Sequence, residues 1–511
     1  MKITHTESSA PLYAVIDLGS NSFHMLITRQ LANSVQVVDK VKRKVRLASG
    51  LNAHNQLSTS AIARGLECLS FFAERLQDIP PKNVRIVATA TLRIATNRDE
   101  FLLPANNILG QKINLLSGKQ EAENIYLGVA HTSCGAKERF VIDIGGASTE
   151  LILGDGFVTK QVESLDIGCV TFNKLYFSDD ALTTEHFTKA IEGAKKVIAP
   201  LVARYKSTGW QLVLSGSGTM QALSEIQRFT HQSSGVDLAY LKNIQQQLIT
   251  CKNTADINIA GLASDRAPVI ASGLAILIAL FESFSIQKIQ LSSGALREGL
   301  LYNMLPEIAD INIRQSTISS LTEKFHIDCK HAKRIKKQAT SLFHVYKKSW
   351  SLDESNDLAL LNAASDLHEV GLLLEFKQHQ QHGAYILQHA DLPGFNQAER
   401  QLLVALVLLY KGEIDITPLQ KQTATSVEQA SYLLVILRLA VILCRRRKDD
   451  ALPDYQTTIV KSIGDDIINL CLPTQWLAHH PLIADELLQE NNHLAQVNLS
   501  LNIYCETQIE R

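Results

Sequence analysis

The chain has 511 residues, which is enough for about three domains. Its 50 Lys and Arg residues nearly balance 51 Asp and Glu residues, and the net charge of −1 excludes any global attraction for nucleic acid or an anionic membrane. Neither is expected as a partner, so binding of an anionic ligand must depend on a local site.

The cysteine pattern and the apolar runs indicate the cellular compartment of the protein. The eight cysteines are scattered, with no C-x-x-C pair and no zinc spacing, so we expect reduced thiols rather than disulfides. The N-terminal segment has no apolar region typical of a secretion signal. The apolar runs SGLAILIALF and YLLVILRLAVILC are shorter than the ~18 uninterrupted residues of a membrane span. We therefore predict a soluble, cytoplasmic protein.

The first predicted element is a hairpin at residues 13–30, YAVIDLGSNSFHMLITRQ. Asp17 stands at the tip of its first strand. The turn that follows consists of Gly19, Ser20, Asn21 and Ser22. The same layout recurs at residues 140–151, FVIDIGGASTEL, where Asp143 lies 143 − 17 = 126 residues further on. This repeat predicts two similar domains that face one another, each contributing a loop to a shared cleft.

Residues 34–47, SVQVVDKVKRKVRL, predict a third strand that carries five basic side chains. These side chains are Lys40, Lys42, Arg43, Lys44 and Arg46. Like charges so close repel one another, so an anionic partner is one interpretation. A solvated edge strand protected by its lysines is the other.

Helical spacing over residues 61–76 and an apolar run at 84–88 predict a helix and a buried strand. The strand leads into TATLR, which ends at Arg93. A planar guanidinium binds phosphate oxygens in pairs, and the C-terminal end of a strand would direct it into the cleft. A surface ion pair with Asp99 or Glu100 is the alternative.

The segment SGKQEAE predicts the start of another helix. Ser117 and Gln120 have the spacing of a capping box, which places Glu121 in the first turn after Gly118. The helix dipole alone favours an acidic residue there. A carboxylate at a strand-to-helix junction is also well placed to accept a proton from water. The pattern leaves both roles open.

The central segment at residues 140–151 combines a turn suited to an anion with carboxylates that would repel one. The turn consists of Gly145, Gly146, Ala147, Ser148 and Thr149. Its backbone N–H groups can approach a phosphate without hindrance from side chains. Asp143 and Glu150 require a different explanation, which Mg²⁺ provides because it binds one or two carboxylates together with phosphate oxygens. We therefore predict that Asp143 and Glu150 bind Mg²⁺ beside a phosphate.

Two further transitions from strand to glycine loop to helix occur at residues 213–221 and 289–300, VLSGSGTMQ and IQLSSGALREGL. The predicted phosphate-binding residues of the first are Ser215, Gly216, Ser217, Gly218 and Thr219. One such loop is a weak signal. Four in one chain, two of them centred on Asp-x-Gly, indicate a nucleotide or phosphate cleft between two α/β domains.

Beyond about Pro306 the pattern becomes helical, which predicts an all-α domain followed by a small C-terminal extension. Residues 366–389 of that domain carry four histidines, at positions 368, 379, 382 and 389. Their spacing is not that of a clean metal site, so surface or satisfied core histidines are favoured. The basic run at residues 445–448 either complements a helix dipole or holds the far end of a long anionic substrate.

The motifs AVIDLGSNSFHML, VATATLR, SGKQEAE, VIDIGGASTEL, LSGSGT and SSGALREG resemble, in this order, those of the exopolyphosphatase and guanosine pentaphosphate phosphatase family. The resemblance covers essentially the full length, and the family is itself similar to the actin, Hsp70 and sugar-kinase superfamily. It implies an α/β fold with two actin-like domains facing a cleft, an all-α HD-like domain and a small C-terminal domain. The implied bounds are 1–124, 125–306, 307–474 and 475–511.

The resemblance also implies roles at matched positions. Glu121 resembles the family's catalytic glutamate, which activates the attacking water, and Asp143 and Glu150 look like the residues that bind Mg²⁺ and position that water. Residues implied to hold the terminal phosphoryl group are Asp17, Gly19, Ser20, Asn21, Ser22, Arg93 and the loop 145–148. The helical domain resembles an HD phosphohydrolase domain that has lost its chemistry. Its pair reads His368-Glu369 instead of His-Asp, which argues against metal binding there.

The activity implied by the resemblance is removal of the terminal 5′-phosphate of guanosine 3′-diphosphate 5′-triphosphate, with polyphosphate shortened from its end at the same site. Ala88 and Ala90 around Thr89, Ala147 in place of a third glycine, and the segment RKVRLASGL favour the first substrate. The alternatives are a protein that is primarily an exopolyphosphatase, an ATP-dependent kinase of the same fold, and a sensor without turnover. A homodimer is expected by resemblance.

Overall fold

The structure is a computed structural model that describes residues 10–31, 34–133, 138–230, 235–305, 313–449, 452–461 and 466–506. The chain divides into two units, Met1–Ile313 and Arg314–Arg511. The first unit contains two sheets flanked by helices, and the second is mainly helical. The predicted α/β class with a helical C-terminal region is therefore confirmed.

The first sheet of the first unit is built around the predicted hairpin. Its strands are β1 (Leu12–Leu18), β2 (Ser22–Leu31), β3 (Ser34–Lys44), β4 (Val84–Ala88) and β5 (Asn114–Leu115). They lie in the order β3-β2-β1-β4-β5, with β1 antiparallel to β2 and parallel to β4. The helices of this region are α1 (Thr59–Leu76), α2 (Ala90–Ile94), α3 (Asp99–Leu109) and α4 (Gly118–Thr132).

Local sequence signals explain two of these helices. α1 buries Ile62, Leu69 and Phe72 in the same apolar cluster as the strands, as its helical spacing predicts. α4 begins with the predicted capping box, in which the Ser117 hydroxyl accepts from the Gln120 N–H and the Gln120 side chain accepts from the Ser117 N–H. That box fixes the position of the residue that follows it in the first turn.

The second sheet repeats the topology of the first. Its strands are β6 (Glu138–Ile144), β7 (Thr149–Asp155), β8 (Val158–Leu165), β9 (Leu212–Ser215) and β10 (Gln290–Leu291), in the order β10-β9-β6-β7-β8. β6 is antiparallel to β7 and parallel to β9, as β1 is to β2 and β4. The helices of this region are α5 (Cys169–Tyr176), α6 (Thr184–Thr208), α7 (Gly218–Phe229), α8 (Leu238–Cys251), α9 (Ala267–Phe284) and α10 (Leu296–Met304). The internal repeat predicted from the two aspartates is thus confirmed.

The helix α9 contains one of the two long apolar runs. Flanking residues extend the run to 18 helical residues, which is enough by length and composition to cross a membrane. The stretch 274–280 is instead fully buried, in the core formed with the second sheet and with α5, α6 and α8. Its apolar character on all sides is therefore explained by packing inside this part of the unit.

The two sheets are joined by a shared core in which α4 and α10 lie against one another. A Cβ atom on Gly299 would stand 1.8 Å from the Asn124 carbonyl oxygen, and one on Gly128 would stand 2.0 Å from the Ala295 carbonyl oxygen. Only glycine permits so close a contact between the helix backbones. The core they belong to also contains Val15 of β1 and Val141 of β6, so the two halves of this unit form one packed body.

Nine helices were assigned in the described part of the chain from residue 313 onward. They are α11 (Ile313–Lys324), α12 (Cys329–Trp350), α13 (Asp357–Leu367), α14 (His379–His389), α15 (Gln397–Leu409), α16 (Thr417–Lys421), α17 (Val427–Leu443), α18 (Thr474–His479) and α19 (Pro481–Leu494). α17 is buried along almost its whole length, and its Arg438 donates to Glu490 of α19. A buried charge of this kind is tolerated because it is paired and fully hydrogen-bonded.

Two strands interrupt the segment that the sequence predicts to be all-helical. β11 (Gln456–Val460) and β12 (Asp466–Pro473) form an antiparallel pair, and β13 (Leu499–Glu506) adds to it in parallel. Ile468, Leu470 and Leu472 are buried at every second position of β12, which is strand periodicity. Helical spacing in the preceding 140 or so residues obscured this short signal. The C-terminal strand β13 therefore shares a sheet with β11 and β12.

Candidate active site

The turns of the two repeated hairpins touch one another. A Cβ atom on Gly146, in the turn between β6 and β7, would lie 2.7 Å from the Cβ of Ser20 and 3.5 Å from the backbone nitrogen of Asn21. A residue with a side chain would force the turns apart. The predicted meeting of the two loops is confirmed, and Asp17 and Asp143 lie on the strands that lead into them.

Backbone hydrogen bonds from neighbouring segments fix the carbonyl groups of both turns. The Arg46 N–H donates to the Asn21 carbonyl at 2.8 Å, and the Ala48 N–H donates to the Ser20 carbonyl at 2.9 Å. In the second turn, the Cys169 N–H donates to the Gly145 carbonyl at 2.9 Å. Because these carbonyls are fixed, each turn has a defined shape before any ligand arrives.

The hairpins have the same register but different side chains. Asp17 of β1 lies opposite His24 of β2, and Asp143 of β6 lies opposite Glu150 of β7. His24 therefore occupies in the first hairpin the position that Glu150 occupies in the second. No motif assigned a role to His24, although the 126-residue offset leads to it, since 150 − 126 = 24.

Four carboxylates, those of Asp17, Glu121, Asp143 and Glu150, lie close enough to perturb one another. Burial, together with the charges of Glu121 and Asp17, raises the pKa of Asp143 to about 7. Burial is also the main cause that raises the pKa of Asp17 to about 6. Crowded acids that resist ionisation are typical of a site that binds a cation or moves protons.

Glu150 is held by its neighbours. Its Oε1 accepts from the Ser164 hydroxyl at 2.9 Å, and the Ser148 hydroxyl is a second donor. Burial raises the pKa of Glu150 to about 7, the Asp143 charge adds to this effect, and the two hydroxyl contacts oppose it. The orientation of this carboxylate is thus fixed by two hydrogen bonds.

Glu121 lies in the first turn of α4 and bonds to Arg93. The Arg93 Nη1 donates to Glu121 Oε2 at 3.0 Å and to the Leu116 carbonyl at 2.9 Å. Burial and then the Glu150 charge raise the pKa of Glu121 well above its usual range, against the influence of Arg93. Among the described residues the alternative pairing of Arg93 with Asp99 or Glu100 is not observed, and Arg93 pairs with Glu121 instead.

The carboxylate oxygens of the site are suitable ligands for Mg²⁺. Asp17 and Asp143 each have a buried Oδ1 that lacks a hydrogen-bond partner among the described residues. Buried polar atoms normally have a hydrogen-bond partner. Two buried carboxylate oxygens without one therefore need another partner, such as a bound cation. A hard cation with oxygen ligands would satisfy both atoms and offset the repulsion among the acids. The residues fit Mg²⁺, and Asp17 joins Asp143 and Glu150 as a candidate ligand.

Basic side chains adjoin the carboxylates on one side. Arg297 at the start of α10 donates from Nη1 to His24 Nδ1, and its charge lowers the pKa of both Asp17 and Asp143. Burial, followed by the charges of Arg297, Lys42 and Arg266, lowers the pKa of His24 to about 2. His24 is therefore neutral and accepts from Arg297. Arg297 stands within the predicted motif SSGALREG, although no role was assigned to it there.

Several predicted phosphate-binding hydroxyls are engaged within the protein. Thr149 Oγ1 donates to the Ile167 carbonyl at 2.6 Å, and Ser148 bonds to Glu150 as described above. Ser215 Oγ donates to Ser217 Oγ at 3.0 Å, and Ser217 caps α7. These residues shape the loops, and their hydroxyls have partners without a ligand.

The predicted loop 215–219 lies beside a second arginine. A Cβ atom on Gly218 would stand 2.3 Å from Nη2 of Arg266, and one on Gly216 would stand 2.6 Å from the Gly294 carbonyl oxygen. Arg266 is also one of the charges that act on His24. The structure therefore places this loop next to the basic side chains of the site. No motif of the sequence had pointed to Arg266.

In the second unit, the predicted histidines have different surroundings. His382 is partly exposed and contacts Glu375, whereas His368 is buried with Glu369. His331, which the sequence analysis did not consider, joins this pair. Two residues of the basic run at 445–448, Arg445 and Arg447, form ion pairs with carboxylates, which neither predicted role had included. The thiols of Cys68, Cys169, Cys251, Cys329, Cys444 and Cys471 are free.

Comparison with known proteins adds independent observations. A model of the Ppx/GppA phosphatase family matches residues 26–308, and a model of domain III of Ppx/GppA phosphatases matches residues 313–491. A protein of Pseudoalteromonas translucida named guanosine-5′-triphosphate,3′-diphosphate pyrophosphatase is 47% identical over 490 residues, covering 96% of this chain and 98% of that protein. One of the same name from Photobacterium profundum is 46% identical over 481 residues, covering 94% and 95%.

Solved structures resemble the chain in fold. The crystal structure of an exopolyphosphatase from Cytophaga hutchinsonii has a TM-score of 0.53 at 23% sequence identity, covering 58% of this chain and 98% of that one. A structure of the Aquifex aeolicus member of the Ppx/GppA family has a TM-score of 0.50 at 23% identity, with coverages of 58% and 98%. At such identities the likeness concerns the fold alone.

Proposed function

Because the chain belongs to the Ppx/GppA phosphatase family, we propose that it hydrolyses the terminal 5′-phosphate of guanosine 3′-diphosphate 5′-triphosphate. The products are guanosine 3′,5′-bisdiphosphate and orthophosphate, and inorganic polyphosphate is shortened from its end at the same site. The observation that carries the proposal is the carboxylate cluster of Asp17, Glu121, Asp143 and Glu150 beside two glycine turns that touch. Relatives with the corresponding name extend over nearly the whole chain.

Glu121 is the residue that we assign to the attacking water. In the reaction, a bond forms between the water oxygen and the terminal phosphorus, the bond from that phosphorus to the bridging oxygen breaks, and a water proton passes to the Glu121 carboxylate. Burial makes this carboxylate more basic than an exposed one, and the bond from Arg93 fixes its direction. Such a base contributes about 10²- to 10⁴-fold in rate.

Asp143 and Glu150 hold Mg²⁺ in this proposal, and the orphaned oxygen of Asp17 makes it a third ligand. When bound, the ion supplies positive charge that neutralises the phosphate oxygens. Burial raises the pKa of Asp143 and Glu150 to about 7, so binding of a cation releases protons from these residues at neutral pH. Ser164 and Ser148 keep the Glu150 carboxylate in place while its charge changes.

The remaining groups of the site bind the phosphates. The backbone N–H groups of the turns at residues 19–22 and 145–148 hold the terminal phosphoryl group, because both turns are preformed and lie in contact. Arg297, Arg266 and Lys42 attract the rest of the anionic substrate, since their charges already act together on His24. The acidic and basic sides of the site thus separate cation binding from anion binding.

Phosphate release from guanosine pentaphosphate, polyphosphate and ATP, with and without Mg²⁺, tests this function. We expect phosphate release from the first two substrates, and we expect that release to require Mg²⁺. Release from polyphosphate alone would make the protein primarily an exopolyphosphatase. Transfer from ATP to an acceptor, with no release in its absence, would identify a kinase. Tight binding without turnover would identify a sensor.

Finer features of the architecture belong to the same proposal. We assign an actin-like fold to segments 1–124 and 125–306, an HD-like fold to 307–474 and a small C-terminal region to 475–511, whose strand β13 shares a sheet with β11 and β12. The identical strand order of the two sheets supports the first assignment. A cytoplasmic homodimer is proposed from the family resemblance, and sedimentation equilibrium together with cell fractionation would test it.

A further inference from the structure

A second cluster of potential ligands lies in the helical unit, in a region to which the family resemblance assigns no chemistry. His331, His368 and Glu369 are exposed by only 4%, 1% and 8%, and one ligand atom from each lies within 4.8 Å of the other two. They come from different elements, because His331 lies in the first turn of α12 whereas His368 and Glu369 follow α13. Burial of two imidazoles and a carboxylate together requires an explanation.

The hydrogen bonds of His368 leave one nitrogen directed at its neighbour. Its Nδ1 lies 2.8 Å from the Ser365 carbonyl, which can only accept, so Nδ1 carries the proton. The other nitrogen, Nε2, then has a lone pair, and it lies 3.9 Å from Glu369 Oε1. Metal-binding histidines typically donate their second N–H to a carbonyl in this way, which fixes the ring and exposes the lone pair.

His331 provides an independent observation. It is 96% buried, given its exposure of 4%, and its Nδ1 has no hydrogen-bond partner among the described residues. The ring stands 6.0 Å from that of His368, measured between centroids. An unsatisfied nitrogen in so dry a position costs free energy unless a ligand occupies it. A ring nitrogen of His331, one of His368 and the Glu369 carboxylate together form a set of two imidazoles and one carboxylate.

One cation already contacts the cluster. Arg447 donates from Nη1 to Glu369 Oε2 at 3.2 Å and from Nη2 to Glu369 Oε1, and its Nη1 also lies 3.4 Å from Asp328 Oδ2. The side chain of Arg447 is 43% exposed, so it can leave without unpacking the core. Glu369 therefore has a partner that can be exchanged for another positive charge.

We propose that His331, His368 and Glu369 form a binding site for a divalent transition-metal ion of the zinc class, and that the ion displaces Arg447 from Glu369. Two imidazoles and a carboxylate suit Zn²⁺ and its neighbours, whereas Mg²⁺ and Ca²⁺ prefer oxygen ligands alone. The donor atoms must close by less than about 1.5 Å, since tetrahedral ligands of Zn²⁺ lie roughly 3.3 Å apart. Arg447 would return to Asp328, its other acidic partner.

Equilibrium dialysis of the full chain against Zn²⁺ in excess Mg²⁺ tests the proposal, because Mg²⁺ occupies oxygen sites and leaves imidazole sites open. The wild type is expected to hold one more Zn²⁺ than His368→Gln. Arg447→Gln should bind that ion about tenfold more tightly, since it removes a nearby competing charge. His382→Ala and Arg445→Gln, which change a partly exposed histidine and a neighbouring arginine, should match the wild type.

Controls separate binding from misfolding. Should His368→Gln unfold, His331→Gln and Glu369→Gln carry the same expectation. Zn²⁺ should raise the unfolding temperature of the wild type and leave that of a folded ligand variant unchanged. Equal zinc content in the wild type and all three ligand variants would overturn the proposal. Zinc held by Arg447→Gln and not by the wild type would also overturn it, because Arg447 would then be the permanent cation.

Discussion

The two sheets of the first unit share one topology, but their hairpins carry different chemistry. At equivalent positions the first has Asp17 opposite His24, and the second has Asp143 opposite Glu150. A pair of acids suits a cation, whereas a neutral histidine held by Arg297 suits an anion. The repeated scaffold places two similar turns together, and the difference between His24 and Glu150 at one position gives the two hairpins different charges.

Glu121 lies on helix α4, outside the repeated hairpins. Its replacement tests whether the reaction needs a proton acceptor that neither hairpin provides. We expect Glu121→Gln to lower kcat by about 10²- to 10⁴-fold, with KM nearly unchanged, because only proton acceptance is lost. Phosphate release at saturating substrate measures the effect. Glu123→Gln, an exposed neighbour on α4, is the matched control. Turnover within a fewfold of the wild type would remove Glu121 from the role of base.

A substitution at Glu150 removes one of the two acidic charges of the second hairpin. Glu150→Gln keeps an oxygen that accepts from Ser164 but removes the charge. We expect the Mg²⁺ concentration for half-maximal activity to rise roughly 10- to 100-fold, as is typical when ligand or supporting groups of a metal site change. A Mg²⁺ titration of phosphate release measures it, with Glu163→Gln as control. An unchanged titration would show that the cation depends on other carboxylates.

A substitution at Arg297 removes the positive charge that contacts His24 of the first hairpin. Arg297→Gln is expected to raise KM about tenfold, because charge-assisted hydrogen bonds contribute about 1.5–3 kcal/mol. Steady-state kinetics at several salt concentrations measure it, and the salt dependence of KM should weaken as well. Arg204→Gln, at a partly exposed ion pair with Glu163, is the control. A fall in kcat with KM unchanged would instead place Arg297 among groups that act only in the transition state.

Sequence patterns predicted the local parts of this arrangement. The capping box at Ser117 and Gln120 places Glu121 correctly because capping is a contact between residues three apart. The 126-residue repeat gave the two facing turns because strand and turn preferences are also local. The bounds of the strand at residues 84–88 were likewise predicted from its own apolar run.

The contacts missed by the sequence analysis join residues far apart in the chain. Arg297 bonds to His24, 273 positions away, and no periodicity of either segment contains that information. His331 reaches His368 through helix packing in the same way. The hydroxyls of Thr149 and Ser217 were predicted to bind phosphate, but they bond instead to the Ile167 carbonyl, 18 positions away, and to the Met220 N–H.

The smallest expected effect concerns the protonation of His24, which distinguishes the first hairpin from the second. Burial and the neighbouring cations lower the pKa of His24 to about 2, so the unfolded chain takes up a proton below about pH 6.5 while the folded chain does not. Stability from this residue is therefore complete above pH 6.5 and is lost as the pH falls. His24→Gln, which retains an acceptor for Arg297, should abolish this loss.

Chemical unfolding at pH 8 and pH 6 measures the difference. We expect the free energy of unfolding of the wild type to fall between these values by about 1 kcal/mol more than that of His24→Gln. His54→Gln, an exposed histidine in the same half, should follow the wild type. Parallel changes in the wild type and His24→Gln would mean that His24 is protonated in the folded protein, and the first hairpin would then carry a positive charge of its own beside Arg297.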